Sequence, residues 1–355
     1  MAKKYYSLKK ILEVDAVYNI IYGKRSNGKS YAVKHFSVQN AINNPDKEKF
    51  VYLRRYSLDV RAGDVALYFN DLPIEKMTNG EYKDVEVRQK KINLVHYNDK
   101  NKVDKRLHIG YVMYLSGVEH FKSLSYPDVE NMIFEEFVTN EGYLIDEPTK
   151  LMNIISTVFR DRKGKIFMIG NTVNRICPYF SEWQLINVPE QEQNTIDVYT
   201  VKYNDLSIQI ACEYCGDSDT NATNNFFFGR QADSIIKGNW EVKSFPKPPK
   251  EEGHSLQCRF LLMQGQFNYC INLMLDCNGY PYLKITPAKI ENALSELYTL
   301  ALSREFYTSP KVLKTFAGNP IGRKLRELYA SGKICYSDNL TGTEFNNILK
   351  EWQIW

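Results

Sequence analysis

The segment that decides the fold reads Gly23-Lys24-Arg25-Ser26-Asn27-Gly28-Lys29-Ser30, which matches the pattern G-x-x-x-x-G-K-S/T. An apolar run at residues 17–22 precedes it and predicts a buried strand, and the residues from 31 to about 39 predict a helix. The glycines let backbone N–H groups face phosphate oxygens, and the helix N-terminus adds partial positive charge. We therefore expect these eight residues to surround the phosphates of ATP, with Lys29 bound to the phosphates and Ser30 bound to Mg²⁺. The alternative is that they form an ordinary turn.

The composition is that of an ordinary globular protein. The chain has 355 residues, 43% hydrophobic and 25% charged, and this length allows two compact domains. No apolar run approaches the ~18 residues of a membrane span, so a cytoplasmic protein without a membrane partner is expected. The net charge of +4 permits a local basic channel but does not by itself indicate a polyanionic partner.

Strands and helices alternate along the first half of the chain. Short apolar runs predict strands at residues 50–54, 92–97, 108–115, 133–134 and 166–169. The second and third of these form a hairpin around a charged turn, and residues 150–160 predict an amphipathic helix. The alternation predicts an α/β domain.

A second domain is expected toward the C-terminus. The sequence becomes polar after residue 204, and residues 245–253 contain three prolines and end in glycine. The predicted boundaries are an ATPase domain at 1–205, a linker or lid at 206–255 and a smaller α+β domain at 256–355. In the last part strands are predicted at residues 259–275 and 282–285, and helices at 288–305 and 322–330.

A P-loop hydrolase also needs an acid at the end of a strand to hold Mg²⁺, with a second acid to orient the attacking water. Two pairs compete for these roles, Glu135-Glu136 after an apolar strand and Asp146-Glu147 before Pro148. Proline is at home in the first turn of a helix, so the second pair is expected to approach a helix. Glu135 is the preferred metal-side acid and Glu136 the preferred catalytic base; a solvated turn is the alternative for either pair.

Positive charge near the γ-phosphate can come from Arg160 or Arg162, which follow the predicted helix. Cations at a helix C-terminus also favour the helix dipole without any catalytic role. Asn171, just after the strand at 166–169, is a candidate sensor of the γ-phosphate, and a plain strand-end turn is the alternative.

These blocks together resemble the DNA-packaging, or encapsidation, ATPases of small short-tailed phages, a terminase-like P-loop motor family. The resemblance covers the first half of the chain in the family's order. It rests on Tyr22-Gly23, Lys29-Ser30-Tyr31-Ala32, Val51-Tyr52-Leu53-Arg54-Arg55-Tyr56, Tyr126-Pro127, Ile133-Phe134-Glu135-Glu136-Phe137, Thr157-Val158-Phe159-Arg160-Asp161-Arg162, Asn171 and Pro178-Tyr179-Phe180.

The resemblance implies a P-loop NTPase domain of the ASCE/RecA-like class that works in a ring, pentameric in the best-known relatives. It implies a motor in the host cytoplasm that docks transiently on a phage portal and procapsid and drives double-stranded DNA inward. A structural packaging RNA is left open as a further partner. By motif match Arg160 is the finger that reaches a neighbour's ATP. Lys122 matches a basic position of the same interface, and Arg162 is a second candidate there.

Two features of this chain bear on what the resemblance implies: one acid differs from the family's usual residue, and the C-terminal domain lacks the acids of a nuclease. Relatives usually carry Asp where this chain has Glu135, and coordination through water would absorb the extra methylene group. The C-terminal domain resembles the family's vestigial ribonuclease H-like domain. Between residues 257 and 287 its only acid is Asp276, so a two-metal nuclease is not expected.

Contacts with DNA are expected to fall on backbone phosphates, because a packaging motor must tolerate every sequence. The basic turn at residues 98–106 is a candidate pore loop, and a solvated turn is the alternative. Two other functions share these motifs. A P-loop helicase or recombination ATPase would separate strands, and a nucleotide-gated DNA-binding scaffold would bind ATP without releasing phosphate.

Overall fold

The computed structural model describes residues 5–203, 206–216, 238–250, 252–264, 266–288, 298–301 and 320–351. The chain divides into two compact units. The first unit contains Met1–Thr139, Leu144–Val173 and Glu182–Asn239, and the second contains Asn140–Tyr143, Asn174–Ser181 and Trp240–Trp355. The chain therefore passes from one unit to the other after residues 139, 143, 173, 181 and 239.

The first unit is built on a nine-stranded sheet. Its strands are β1 (Tyr18–Gly23), β2 (Lys49–Arg54), β3 (Asp84–Arg88), β4 (Lys91–Tyr97), β5 (Val103–Tyr114), β6 (Val129–Glu135), β7 (Lys165–Asn171), β8 (Ile196–Tyr203) and β9 (Leu206–Cys215). They lie in the order β3-β4-β5-β2-β6-β7-β1-β9-β8. The run from β5 to β9 in this order is parallel, and β3, β4 and β8 pair antiparallel with their neighbours. The carboxyl ends of the parallel strands therefore meet at one edge, where open α/β sheets bind ligands.

The central strands are apolar because both faces of a parallel sheet are covered. All six residues of β1 are buried, and Phe50, Ile133 and Phe167 from neighbouring strands belong to one core cluster. The unit also contains the α-helices α1 (Lys9–Glu13), α2 (Lys29–Asn43), α3 (Ala62–Phe69), α4 (Ile74–Met77) and α5 (Glu147–Phe159). Within the described ranges, no helix combines the length and apolar character that crossing a bilayer requires.

The α/β architecture expected from the sequence is confirmed, but the expected linker begins too early. Residues 206–215 form β9, which pairs with β1 in parallel so that Cys215 lies opposite Gly23. The Cys215 carbonyl also accepts a hydrogen bond from the N–H of Lys24. The predicted phosphate loop, residues 23–30, is thus supported by a strand that was predicted from its polar composition to be part of a linker. The section of that linker at residues 217–237 lies outside the described residues.

The second unit is an α+β structure, as expected. Its strands are β10 (Ser255–Gln264), β11 (Phe267–Leu275), β12 (Pro281–Pro287), β13 (Tyr298–Ala301) and β14 (Ile334–Tyr336), in the order β13-β10-β11-β12-β14. β10, β11 and β12 are antiparallel, whereas β13 and β14 run parallel to the strands they join. The helix Pro320–Ala330 precedes β14 in the chain, and the helix Asn339–Glu351 follows it. The Asp276 carboxylate accepts the N–H groups of Asn278 and Tyr280 and so forms the turn before β12.

The prediction of a helix at residues 288–305 is wrong for the part of this segment that the structure describes as regular secondary structure. Tyr298–Ala301 lies within the predicted helix at residues 288–305, but it forms a strand parallel to β10. Tyrosine and threonine favour extended backbone, and the edge of β10 supplies hydrogen-bond partners that periodicity cannot reveal. The flanking residues 289–297 and 302–305 lie outside the described ranges.

A buried ion pair joins three elements of the first unit just beyond the carboxyl edge of the sheet. Arg55, the residue after β2, donates to both carboxylate oxygens of Glu147 at 2.8 and 2.9 Å. The same guanidinium donates to the carbonyls of Glu136 and Phe137, which follow β6. Glu147 is fully buried at the start of α5 and also accepts the N–H of Leu144. The alternative of a solvated turn is therefore wrong for Glu147.

We predict that Glu147→Gln lowers the free energy of unfolding by about 3 kcal/mol, because the buried Arg55 loses its ionic partner. Urea unfolding followed by circular dichroism measures this loss. Asp146→Asn is the matched control, since Asp146 is the exposed neighbour and caps no N–H with its side chain. Equal stability of both variants would show that the pair contributes nothing net.

Candidate nucleotide site

The eight-residue loop lies between β1 and α2, and its two glycines adopt backbone conformations that other residues rarely take. Gly23 has φ +135° and Gly28 has φ +95°. A Cβ atom on Gly23 would lie 2.1 Å from the Cys215 carbonyl oxygen, so only glycine fits beside β9. Arg25 and Ser26 are exposed at the tip of the loop. The N-terminus of α2, a 15-residue helix, follows directly and favours an anion there.

Lys29 lies buried under the loop and is held by oxygen atoms. Its Nζ donates to the carbonyl of Lys24 at 2.5 Å and lies 3.4 Å from that of Gly23. The side-chain oxygens of Asn27 and Asn171 are at 3.3 and 3.5 Å. Burial lowers the pKa of Lys29 to about 8. The structure thus brings Asn171, the last residue of β7, to the lysine that is predicted to bind phosphate.

Glu135 ends β6 beside the start of α2, and two hydroxyl groups hold its carboxylate. Ser30 Oγ donates to Oε1 at 2.5 Å, and the Tyr68 hydroxyl donates to Oε2 at 2.8 Å. Burial raises the pKa of Glu135, and both hydrogen bonds oppose that rise. Serine hydroxyl and carboxylate oxygens are ligands that suit Mg²⁺. Tyr68 could not be found from the sequence, because α3 carries no motif and the position of Tyr68 beside Glu135 depends on the tertiary fold.

Glu136, the next residue, has a different partner. It has φ +58°, and its side chain is 58% exposed and paired with Arg54 at 2.6 Å. Arg54 ends β2, the strand adjacent to β6, so the pair links two strand ends at the carboxyl edge. The competing acids lie elsewhere: Asp146 precedes α5 and Glu147 is occupied by Arg55. Of the acids in the two competing pairs, Glu135 is the one that contacts Ser30.

The three basic residues expected at a subunit interface have different environments. Arg160 is exposed at the C-terminal end of α5, with φ +51°. Lys122 forms an exposed pair with Glu119 at 2.6 Å. The guanidinium of Arg162 donates to four carbonyls of its own chain, those of Tyr126, Pro127, Val129 and Val158. The geometry therefore gives Arg162 a structural role within its own chain, and its place at a subunit interface stays a prediction.

A cavity of about 920 Å³ lies beside Gly28, between the N-terminal segment and the first turns of α2. Aromatic side chains of Tyr5, Tyr31, His35 and Phe36 line it. The N-terminal segment is tied to the loop because the N–H of Tyr6 donates to the Asn27 carbonyl. This cavity was not predicted from the sequence, in which the aromatic residues near both ends of the motif were the one available signal.

Sequence comparisons place the chain among phage proteins. Residues 1–224 match the family Podovirus DNA encapsidation protein (Gp16). The chain is 30% identical to the DNA packaging protein of Bacillus phage phi29 over 344 residues, which are 95% of this chain and 94% of that protein. It is 34% identical to the DNA packaging protein of Bacillus phage B103, over half of each chain.

Solved structures support the same relationship at the level of the fold. A phi-28 DNA packaging motor chain, gp11, is similar with a TM-score of 0.55 and 17% identity, covering 100% of this chain and 99% of that one. A chain of the bacteriophage phi-29 genome packaging motor assembly is similar with a TM-score of 0.53 and 23% identity, covering 97% of each. The family match and the near full-length relative lead to one conclusion: this chain belongs to the podovirus DNA encapsidation protein family.

Proposed function

We propose that this chain hydrolyses ATP and couples hydrolysis to the movement of double-stranded DNA into a phage procapsid. The observation that carries the proposal is the contact between Ser30 and Glu135, which joins the phosphate loop to the acid at the end of β6. Membership of the family supports the DNA substrate, since the phi29 and B103 relatives are both named DNA packaging proteins.

ATP would bind with its phosphates in the loop. Backbone N–H groups of the loop and of the α2 N-terminus would take the phosphate oxygens, and Lys29 would exchange its carbonyl partners for the β and γ phosphates. Ser30 and Glu135 would hold Mg²⁺, which neutralises charge on the phosphates when bound. The cavity beside Gly28 has aromatic faces on which the base would stack, among them those of Tyr5 and Tyr31.

Glu136 is the proposed general base for the attacking water. Its carboxylate belongs to the residue after the metal-side acid and is 58% exposed, so solvent water can reach it. Turnover requires this carboxylate to leave Arg54 and accept a proton from water. Asn171, which faces Lys29, would contact the γ-phosphate from the end of β7.

Arg160 is the proposed finger for the site of a neighbouring subunit, and the topology supports this assignment. α5 leads from the end of β6 to the start of β7, so it returns from the carboxyl edge of the sheet to the amino edge. With 13 residues the helix is about 20 Å long. Arg160 at its far end is therefore remote from the phosphate loop of its own subunit.

A ring is the assembly that such a finger requires, and five subunits on a portal is the proposed form. Lys122 is a second proposed interface residue. Its pair with Glu119 is solvent-exposed and therefore weak, so Lys122 could leave Glu119 for a group on a neighbouring subunit. A structural packaging RNA is a proposed partner of the same assembly. In the host cytoplasm the ring would dock transiently on the procapsid.

DNA contact is proposed for the turn of the hairpin between β4 and β5. Lys100 and Lys102 are exposed in this turn and Lys105 is exposed near the start of β5, whereas Arg106 is paired with Glu86 on β3 at 2.6 Å. Three free ammonium groups suit contact with phosphate rather than with base edges.

We predict that Lys29→Ala abolishes DNA-stimulated phosphate release and weakens ATP binding at least about tenfold, because the buried charge on the phosphates is lost. Equilibrium binding of a fluorescent ATP analogue and a phosphate-release assay measure the two effects. Lys49→Ala is a matched control, since Lys49 is also buried but pairs with Asp128 at the amino end of β2. Unchanged turnover in Lys29→Ala would refute the site.

We predict that Glu136→Gln retains ATP binding but loses phosphate release by at least about 10²-fold, because an amide cannot accept the proton from water. The same variant should leave DNA sensitive to nuclease in a packaging reaction with procapsids. Glu130→Gln changes an exposed acid on β6, the strand that Glu136 follows, and should behave as wild type. If Glu136→Gln keeps its turnover, another residue is the base. Strand separation by the wild-type protein would instead indicate a helicase.

We predict that Arg160→Ala rings bind ATP normally but lose turnover by about 10³ to 10⁵-fold, the usual contribution of an arginine finger. Partial activity should return when Arg160→Ala and Glu136→Gln subunits are mixed. In such a ring an intact catalytic glutamate can lie beside a neighbour that retains Arg160. Phosphate release is measured over a series of mixing ratios.

Assembly is measured first, by sedimentation with DNA and a non-hydrolysable ATP analogue. Lys163→Ala, an exposed cation of the same loop, is the control that should keep its activity. If rings form and every mixture stays inactive, while Arg160→Ala monomers lose basal turnover, the arginine acts within its own subunit and the proposed mechanism in trans is wrong.

A further inference from the structure

Tyr68 lies in the nucleotide site although no motif marks it. Its hydroxyl donates to Glu135 Oε2 at 2.8 Å, while the other oxygen of that carboxylate accepts from Ser30. The two donors therefore fix both oxygens of the proposed metal-side acid. Tyr68 comes from α3, the α-helix that follows β2, so the carboxylate at the end of β6 is held by residues of two different helices, α2 and α3.

The surroundings of Tyr68 allow its ring little freedom. Its ring centroid lies 4.9 Å from that of Tyr52 and 5.0 Å from that of Phe69, in tilted and edge-on arrangements. Lys34 Nζ lies 4.2 Å from the ring centroid and donates to the Tyr68 carbonyl and to Asp71 at 2.5 Å each. Lys34 belongs to α2, four residues after Ser30, so the phosphate-loop helix itself holds the tyrosine in place.

We propose that Tyr68 is a positioning residue that orients Glu135 toward the Mg²⁺ that accompanies ATP. This inference rests on the proposed function of the site. A glutamate has one more rotatable bond than an aspartate, so a single contact with Ser30 leaves its carboxylate free to turn. The hydroxyl of Tyr68 removes that freedom by engaging Oε2, and Oε1 remains on the side of Ser30.

The arrangement has a consequence for the choice of metal ion. Mg²⁺ demands near-octahedral geometry with short bonds, whereas Ca²⁺ accepts flexible and bidentate carboxylates. A carboxylate whose second oxygen is engaged by a phenol is a poor bidentate ligand. Tyr68 therefore favours Mg²⁺ over Ca²⁺ at Glu135, and its loss should relax that preference.

The test is Tyr68→Phe, which keeps the ring and removes only the hydroxyl. A fluorescent ATP analogue is titrated in the presence of Mg²⁺, of Ca²⁺ and of a chelator. We expect the gain in affinity from Mg²⁺ to fall about tenfold, the usual effect of losing a hydrogen bond to a charged group, and affinity in the chelator to change less than about twofold. The affinity measured with Ca²⁺ should fall less than that with Mg²⁺.

Tyr111→Phe is the matched control, because the Tyr111 hydroxyl also lies within hydrogen-bond distance of a carboxylate, that of Asp128, away from the loop. It should leave all three affinities unchanged. In a Glu135→Asp background the shorter side chain cannot reach both hydroxyls, so Tyr68→Phe should have a smaller effect there than in the wild type.

Two results would overturn the proposal: an unchanged gain from Mg²⁺, or an equal loss of affinity with the metal and with the chelator, which indicates general structural support. Thermal unfolding in chelator shows whether the variant is folded. Glu135→Gln separates this inference from the proposed function. If that variant keeps the full gain from Mg²⁺, Glu135 is not the metal-side acid and the site assignment itself fails.

Discussion

The buried guanidinium of Arg55 is the constraint on which the arrangement beyond the carboxyl edge of the sheet depends. Four acceptors share it: two oxygens of Glu147 and the carbonyls that follow β6. A buried charge is tolerated only with full pairing, so the ends of β2 and β6 and the start of α5 have to meet at one point. Glu136 gains its position from this constraint, because its own carbonyl is one of the acceptors.

The phosphate loop was predictable because its chemistry is local. Gly23 and Gly28 adopt positive φ angles and Lys29 lies at a helix N-terminus, and each requirement is visible in consecutive residues. The central strands were predictable for the same reason, since burial on both faces demands apolar runs. Glu135 was preferred to the Asp146-Glu147 pair as the source of the metal-side acid. The structure brings Glu135 to Ser30, and its role as a metal ligand stays a prediction. The pairing of Glu147 with Arg55 was not visible in the sequence.

The features that sequence reasoning missed all depend on partners distant along the chain. β9 is polar in part, and its place beside β1 follows from pairing rather than composition. Tyr68 is 67 residues from the carboxylate that it holds. The four carbonyl partners of Arg162 belong to a distant loop, a strand and a helix, and its sequence motif does not indicate them. The site thus combines a loop that local sequence specifies with supports that only the tertiary fold can supply.

The repeated passage of the chain between the two units has a consequence for how such a protein can evolve. The second unit is assembled from three separate stretches, and two of them are short insertions that follow β6 and β7. A single genetic crossover cannot exchange that unit between related phages, because the exchanged gene would join a C-terminal portion from one parent to insertions from the other. Recombination should therefore transmit the coding region as one block, and divergence should proceed through compensating point substitutions.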